Sequence, residues 1–226
     1  MLVNTTGIVL GKIKYQEHSL IVNCYTKEYG LQSYILHHIL RKKKGKINPA
    51  YFLALSQLEL KATHKKNQSI HKINDVRLLH TYTSLHTNVY KSSVALFLAE
   101  VLQSVLKEEE ENSNLYNFLE TSLLWYDLNE FNANFHILFL LKLSQHLGLY
   151  PNIKNIDQHF FLHDANYAKI NTLKELLGIN FDTLSSIKMT AQLRQDILQE
   201  ILHYFSVNLG SFKQPKSLAI LHNVFN

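Results

Sequence analysis

The apolar residues of this 226-residue chain change their period near residue 87. Upstream they come in short β-branched runs divided by turn-forming residues; downstream they recur every three or four positions. A period of two belongs to strands and a period near 3.6 to helices. A chain whose ends obey different periods is neither one sheet nor one bundle. It joins a β unit to a helical unit, an α+β two-domain organisation divided at about residue 80, with domains over 1–80 and 81–226.

Five short runs predict strands in the first unit. Residues 7–15 end in an alternation that puts Ile13 and Tyr15 on a half-buried face and Lys12 and Lys14 on a cationic outer face. Residues 19–25, 31–39, 52–60 and 70–76 supply the others, with turns at Gln16–His18, Lys27–Gly30 and His64–Asn67. Five strands at this spacing predict a small closed barrel. An SH3-like barrel satisfies the same pattern, and pattern alone does not choose.

Downstream, Val94, Phe97, Leu98, Val101, Leu102 and Val105 mark an amphipathic helix, and the carboxylates at Glu108–Glu111 should fray its C-terminal end. A second helix is predicted from about Asn114 to Trp125. A third, from about Asn132 to Leu147, is apolar nearly all round and stops at Gly148, which makes it the buried centre of the helical domain. After Tyr150-Pro151, residues 152–170 read as an irregular insert with a short strand at 160–162. Thr172 is predicted to cap a short helix ending at Gly178, Thr190 the next one, and Ser217–Phe225 a final turn or two.

Charge divides along the same boundary. Residues 1–80 hold 13 Lys+Arg against four Asp+Glu, whereas residues 81–226 hold ten against 14. Arg41-Lys42-Lys43-Lys44-Gly45-Lys46 concentrates five cations in six residues, more than a packed core can hold. A solvated loop accounts for the run itself. The basic balance of the whole β unit argues further for a polyanion, most often nucleic acid, as its partner.

Several classes of function are excluded or left unsupported. Cys24 is the single cysteine, so no intramolecular disulfide and no thiolate-rich zinc site can form, in keeping with a reducing, cytoplasmic compartment. The N-terminus lacks a signal-peptide layout, and the longest apolar run, Ile137–Leu141, is far too short to span a bilayer. No phosphate-cradling glycine motif, nucleophile elbow or metalloprotease helix occurs, so a binding protein rather than an enzyme is expected, without a cofactor. Among 13 histidines, His37 and His38 are expected on opposite faces of a strand; His159 and His163, near Asp157 and Asp164, form the best metal-binding pair but match no tight zinc spacing. Bases of a single strand stack on exposed rings. Tyr15 and Tyr34, beside basic segments, are the candidates, against the ordinary reading of strand aromatics as core.

Gly7-Ile-Val-Leu-Gly-Lys-Ile-Lys-Tyr-Gln-Glu-His-Ser-Leu-Ile-Val resembles the opening of the RecO family, with its Tyr-x-Glu-x-Ser turn at 15–19. The likeness continues through Thr26–Gly30, the basic loop, Leu147-Gly148-Leu149-Tyr150-Pro151 and the tail from Tyr204 to Leu221. It implies an N-terminal five-stranded OB-fold barrel followed by an all-helical C-terminal domain. It implies a DNA-repair and recombination mediator that binds single- and double-stranded DNA, anneals complementary strands and helps load RecA onto DNA coated by single-strand-binding protein, acting with RecR and in some bacteria RecF. Many members carry a four-cysteine zinc module after Leu-Gly-x-x-Pro; residues 152–170 here hold no cysteine. The phosphate contacts then fall to Lys12, Lys14, Arg41, Lys42, Lys43, Lys44 and Lys46. Phe212, Lys213 and Lys216 are candidates for the acidic tail of single-strand-binding protein. A protein-interaction scaffold built on the helical half, and an RNA-binding OB-fold protein, are the competing expectations.

Overall fold

The structure, a computed structural model, describes residues 1–41, 47–107, 109–149, 151, 156, 160 and 167–225. Five strands, β1 (Leu2–Tyr15), β2 (Ser19–Thr26), β3 (Gly30–Leu36), β4 (Gln57–Thr63) and β5 (Ile70–Leu78), close in the order β1-β2-β3-β5-β4. β1 makes closure possible because it is long enough to serve two neighbours. Its first half pairs with β4 from Leu2↔Thr63 to Ile8↔Gln57, and its second half pairs with β2 from Gly7↔Thr26 to Tyr15↔Ser19. A bulge between Val9 and Gly11 bends the strand between those two sets of partners. Every pairing is antiparallel except β3 with β5. The result is an OB-fold barrel, not an SH3-like one.

Inside, Val9, Val22, Cys24, Tyr34, Phe52, Leu58 and Ala62 are fully buried. Two sequence expectations fail at this core. The fourth strand starts at Gln57, not Phe52, because Asn48 caps a 3-10 turn at Pro49–Phe52 that drops the Phe52 ring into the barrel. The third strand stops at Leu36, and His37 and His38 lie in the turn beyond it, His38 with φ +60°. They are therefore not strand neighbours on opposite faces.

Among the described residues six α-helices follow: α1 (Val89–Val105), α2 (Ser113–Leu128), α3 (Phe135–His146), α4 (Tyr167–Gly178), α5 (Ala191–Asn208) and α6 (Leu218–Phe225). Asn88, Asn112 and Thr190 cap α1, α2 and α5 through side-chain oxygens that accept backbone N–H groups. α3 buries every residue from Phe135 to Leu141, as its all-round apolar sequence requires, and Gly148 takes φ +71° just past its end. α1 ends before the glutamates, and the described residues 109–111 of that run lie outside any helix. Thr172 is not a cap, since α4 begins at Tyr167. The expected strand at 160–162 lies mostly outside the described residues; Phe160 itself is buried against Tyr204.

The helices form one core that also takes in the barrel's outer face, through Ile8, Leu10, Tyr25 and Leu55. α1 lies so close to β1 that a Cβ on Gly11 would stand 2.2 Å from Gln103 Nε2. Gln57 Nε2 in β4 donates to the Glu120 carbonyl in α2 at 2.9 Å. The connecting segment is fastened by Asp127, whose carboxylate accepts the backbone N–H groups of Thr83, Ser84 and Leu85 at 2.9, 2.8 and 2.7 Å. Burial opposes ionisation of Asp127, but those donors prevail and hold its carboxyl below the ordinary value. Lys91 is buried beside it and donates to Ser84 Oγ and to the carbonyls of Asp127 and Asn129.

Candidate nucleic-acid interface

β1 loses β4 as a partner after Ile8, yet it continues with β2 as far as Tyr15. Beyond the last β4 pairing, residues 12–15 form a free edge of the sheet, paired with β2 on one side only, while β2 goes on to pair with β3. Lys12, Ile13, Lys14 and Tyr15 are all exposed, Ile13 to 63% and Tyr15 to 40%. The expected half-buried face of Ile13 and Tyr15 is therefore absent: alternation places side chains on two faces, but here no second layer covers either. For a polyanion this is favourable, because Lys12 and Lys14 stand clear of the body and Tyr15 offers an open ring beside them.

The turn after β3 comes to the same place. Leu40 N–H donates to the His18 carbonyl at 3.0 Å, tying that turn to the tip of the β1–β2 hairpin, and Arg41 N–H donates to the His38 carbonyl at 3.1 Å. Arg41 is exposed and opens the basic loop, whose Lys42, Lys43, Lys44 and Lys46 lie outside the described residues. The local potential is positive enough to act on a neighbour. Arg41 foremost, with partial loss of water and then His37 and His18, holds the His38 imidazole below its ordinary value. Elsewhere the barrel's charge is mixed: a groove of about 420 Å³ is lined by Lys61 and Arg77 but also by Glu28, Glu59 and Asp75.

Tyr34 is no base-stacking residue. It is fully buried, its hydroxyl is 3.1 Å from His64 Nε2, and burial pushes its phenol far above the ordinary range. The signal was its parity, since Gln32, Tyr34 and Leu36 point inward together along β3. Tyr25 and Phe52 are buried as well, and Tyr29 and Tyr51 pack partly against the barrel core. Sequence reasoning passes over His18, His37 and His38 as neighbours of the cations, because the two turns that carry them meet only in the folded barrel.

In the helical half, Phe212 is half-buried with its ring edge-on to Phe205 at 5.9 Å, while Lys213 and Lys216 are exposed. A larger apolar groove, about 550 Å³, runs between β1 and α1, where Leu10, Ile13, Leu53 and Leu96 line it and Lys12 also contributes. His159 and His163 lie outside the described residues; among the described ones no group of three His, Cys, Asp or Glu is arranged to hold a metal. A four-cysteine zinc module does not fit this chain. Its one cysteine, Cys24, is sealed in the barrel core, where burial pushes the thiol up to about 12. Among the described residues no helix is long and apolar enough to cross a membrane.

Comparison with known proteins agrees with this geometry. The family model described as "Recombination protein O N terminal" matches residues 1–82, and "Recombination protein O C terminal" matches residues 86–155. The chain is 35% identical to "DNA repair protein RecO" of Flavobacterium psychrophilum over 238 residues, 36% to that of Christiangramia forsetii and 32% to that of Bacteroides fragilis, each alignment covering 100% of both chains. A barrel of the right connectivity, a helical domain packed on it and full-length likeness to these relatives lead to one conclusion: the chain belongs to the RecO family of DNA repair proteins.

Proposed function

We propose that this protein is a recombination mediator that holds single- and double-stranded DNA at the tip of its barrel, anneals complementary strands and helps load RecA onto DNA coated by single-strand-binding protein. The observation that supports it best is that exposed Lys12 and Lys14 lead along β1 into a turn fastened by the Leu40–His18 bond to the turn that carries exposed Arg41, the residue before four more lysines in the sequence. Annealing requires two polyanions side by side, and a cluster of cations offsets their repulsion. The activity is binding: no bond is made or broken, and no resident metal is called on. The same reading puts the protein in the cytoplasm with the nucleoid, alongside RecR and, in some bacteria, RecF.

Fluorescence anisotropy with labelled single and double strands across a salt series tests the reading. Affinity should fall steeply and linearly on a log–log plot, and complementary strands should anneal faster with the protein than without. Salt-insensitive binding, or annealing no faster than the spontaneous rate, would remove the proposal. An RNA strand of the same sequence serves as competitor; RNA winning would favour an RNA-binding role.

A second reading, a scaffold for protein partners, draws on the apolar groove between β1 and α1, whose rim carries Lys12. The acidic tail of single-strand-binding protein needs such a seat, either there or at Phe212, Lys213 and Lys216. Leu96→Glu and Lys213→Glu/Lys216→Glu variants, titrated with a peptide of that tail, separate the two locations.

A further inference from the structure

The two turns at the barrel tip bring together imidazoles as well as cations. His18 ends the β1–β2 turn; His37 and His38 follow β3. The Leu40–His18 backbone bond, 3.0 Å, holds the two turns together, the Arg41–His38 bond, 3.1 Å, closes the second of them, and the rings of His37 and His38 are 6.2 Å apart. His38 occupies the left-handed region at φ +60°, so the strand's alternation ends before it. His37 and His38 are exposed, and the His18 side chain is 38% exposed. The charged groups around them are Glu17, whose carboxylate is 3.5 Å from His18 Nε2, Arg41, and Lys14 leading into the same turn.

We infer that His18, His37 and His38 are phosphate contacts of this interface, and that the protein takes up protons when nucleic acid binds. The inference rests on the barrel tip being the polyanion site. A neutral imidazole has one N–H donor, whereas an imidazolium has two, both charge-assisted toward a phosphate oxygen. Without ligand, Arg41 foremost opposes protonation of His38, which is held below the ordinary imidazole value. A phosphate chain reverses the sign of that field and favours the proton instead. Binding therefore strengthens as pH falls toward the ordinary imidazole range, by linkage between proton and ligand. A metal would need the reverse environment, neutral imidazoles beside anionic ligands, and the neighbours here are mostly cations.

The test uses the full chain and a single-stranded oligothymidylate, whose bases do not titrate near neutrality, at constant ionic strength. Affinity should rise by about tenfold or more between about pH 8 and about pH 6. Calorimetry in buffers of different ionisation enthalpy should read net proton uptake. A His18→Gln/His37→Gln/His38→Asn variant should bind more weakly than the natural chain by a factor that grows as pH falls, lose most of the rise and take up fewer protons; Asn is chosen at 38 because it tolerates positive φ. An unchanged slope in that variant, or pH-independent binding by the natural chain, overturns the inference and leaves the proposed function standing. Failure to bind the oligomer at any pH overturns both.

Discussion

Asp127 performs for the connecting segment what a cap performs for a helix, taking three successive N–H groups that no strand or helix serves. Lys91, 3% exposed, has carbonyl and hydroxyl acceptors around it and that carboxylate as its nearby counter-charge. Removing the carboxylate leaves a buried cation and orphaned donors together. Asp127→Ala should therefore cost about 3 kcal/mol or more in urea unfolding, and Asp127→Asn less, because one carbonyl oxygen still accepts. A loss below about 1 kcal/mol for the alanine variant would mean that water replaces the carboxylate easily. His136 makes a different demand. It is 1% exposed, its Nδ1 has no hydrogen-bond partner among the described residues, and it packs edge-on to Phe97 and stacks on Phe225. Burial first, then Arg194 and His222, lowers its pKa to about 3. Because the folded value lies below the unfolded one, the stability this neutral ring contributes is intact above about pH 6.5 and is lost as pH falls from there toward 3. Each pH unit in that window removes up to about 1.36 kcal/mol. His136→Phe should flatten the acid limb of the stability–pH curve, and an equally steep limb in that variant would show that other groups set it.

At the scale of elements, the β1–β2 hairpin and the loop at 41–46 make separable contributions to phosphate binding. The hairpin is ordered by its ladder, so Lys12 and Lys14 present charge at a fixed spacing; the loop carries more charge. Lys12→Ala/Lys14→Ala should reduce the salt slope on a single strand by about 0.7 for each phosphate no longer neutralised, and so should Lys42→Ala/Lys43→Ala/Lys44→Ala. If either variant keeps both affinity and slope, that element does not touch the strand. The elements also show what a sequence displays openly. α3 is legible because nearly every face is apolar and a glycine follows, and α5 because Thr190 sits three residues before an i, i+4 stripe that starts at Leu193. The cations of the tip are legible because so many like charges close together in sequence cannot share a packed core. The start of β4 is not, since Phe52 and the strand after it form one nearly continuous apolar run; only the closed barrel reveals that Phe52 plugs its interior and that the strand begins five residues later. Tyr34 misleads because its nearness in sequence to lysines outweighs the parity that places it inside. The meeting of His18 with His37 and His38 depends on a hydrogen bond between turns about 20 residues apart, which no local pattern announces.

For the whole molecule, the decisive fact is that the barrel and the helices share a core. Ile8 and Leu55 are fully buried in the same apolar cluster as Phe97, Leu119 and Phe139, so the barrel's outer wall is also a wall of the helical domain. Fully burying each such side chain is worth about 1.5–3 kcal/mol. Separating the units would return the barrel-side members, Ile8, Leu10, Tyr25 and Leu55, to water and break the Gln57–Glu120 fastening as well. A barrel cut at residue 80 is thus expected to expose an apolar patch and to be less stable than its closed ladder suggests, which makes the intact chain the right material for DNA-binding work. The consequence is a single cooperative transition. Trp125 stacks on Phe135 in the helical half with its rings at 6.0 Å and 7°, and its Nε1 donates to Asp182, so its emission reports that half alone. The barrel is read separately by the far-UV strand signal. In urea the two probes should trace superimposable curves with one midpoint and one slope. Curves that part, with the tryptophan signal changing at a different denaturant concentration from the strand signal, would mean that the shared wall does not couple the halves. The basic tip could then move independently of the helices, and its lysines would no longer be held in a fixed relation to any partner docked on α1.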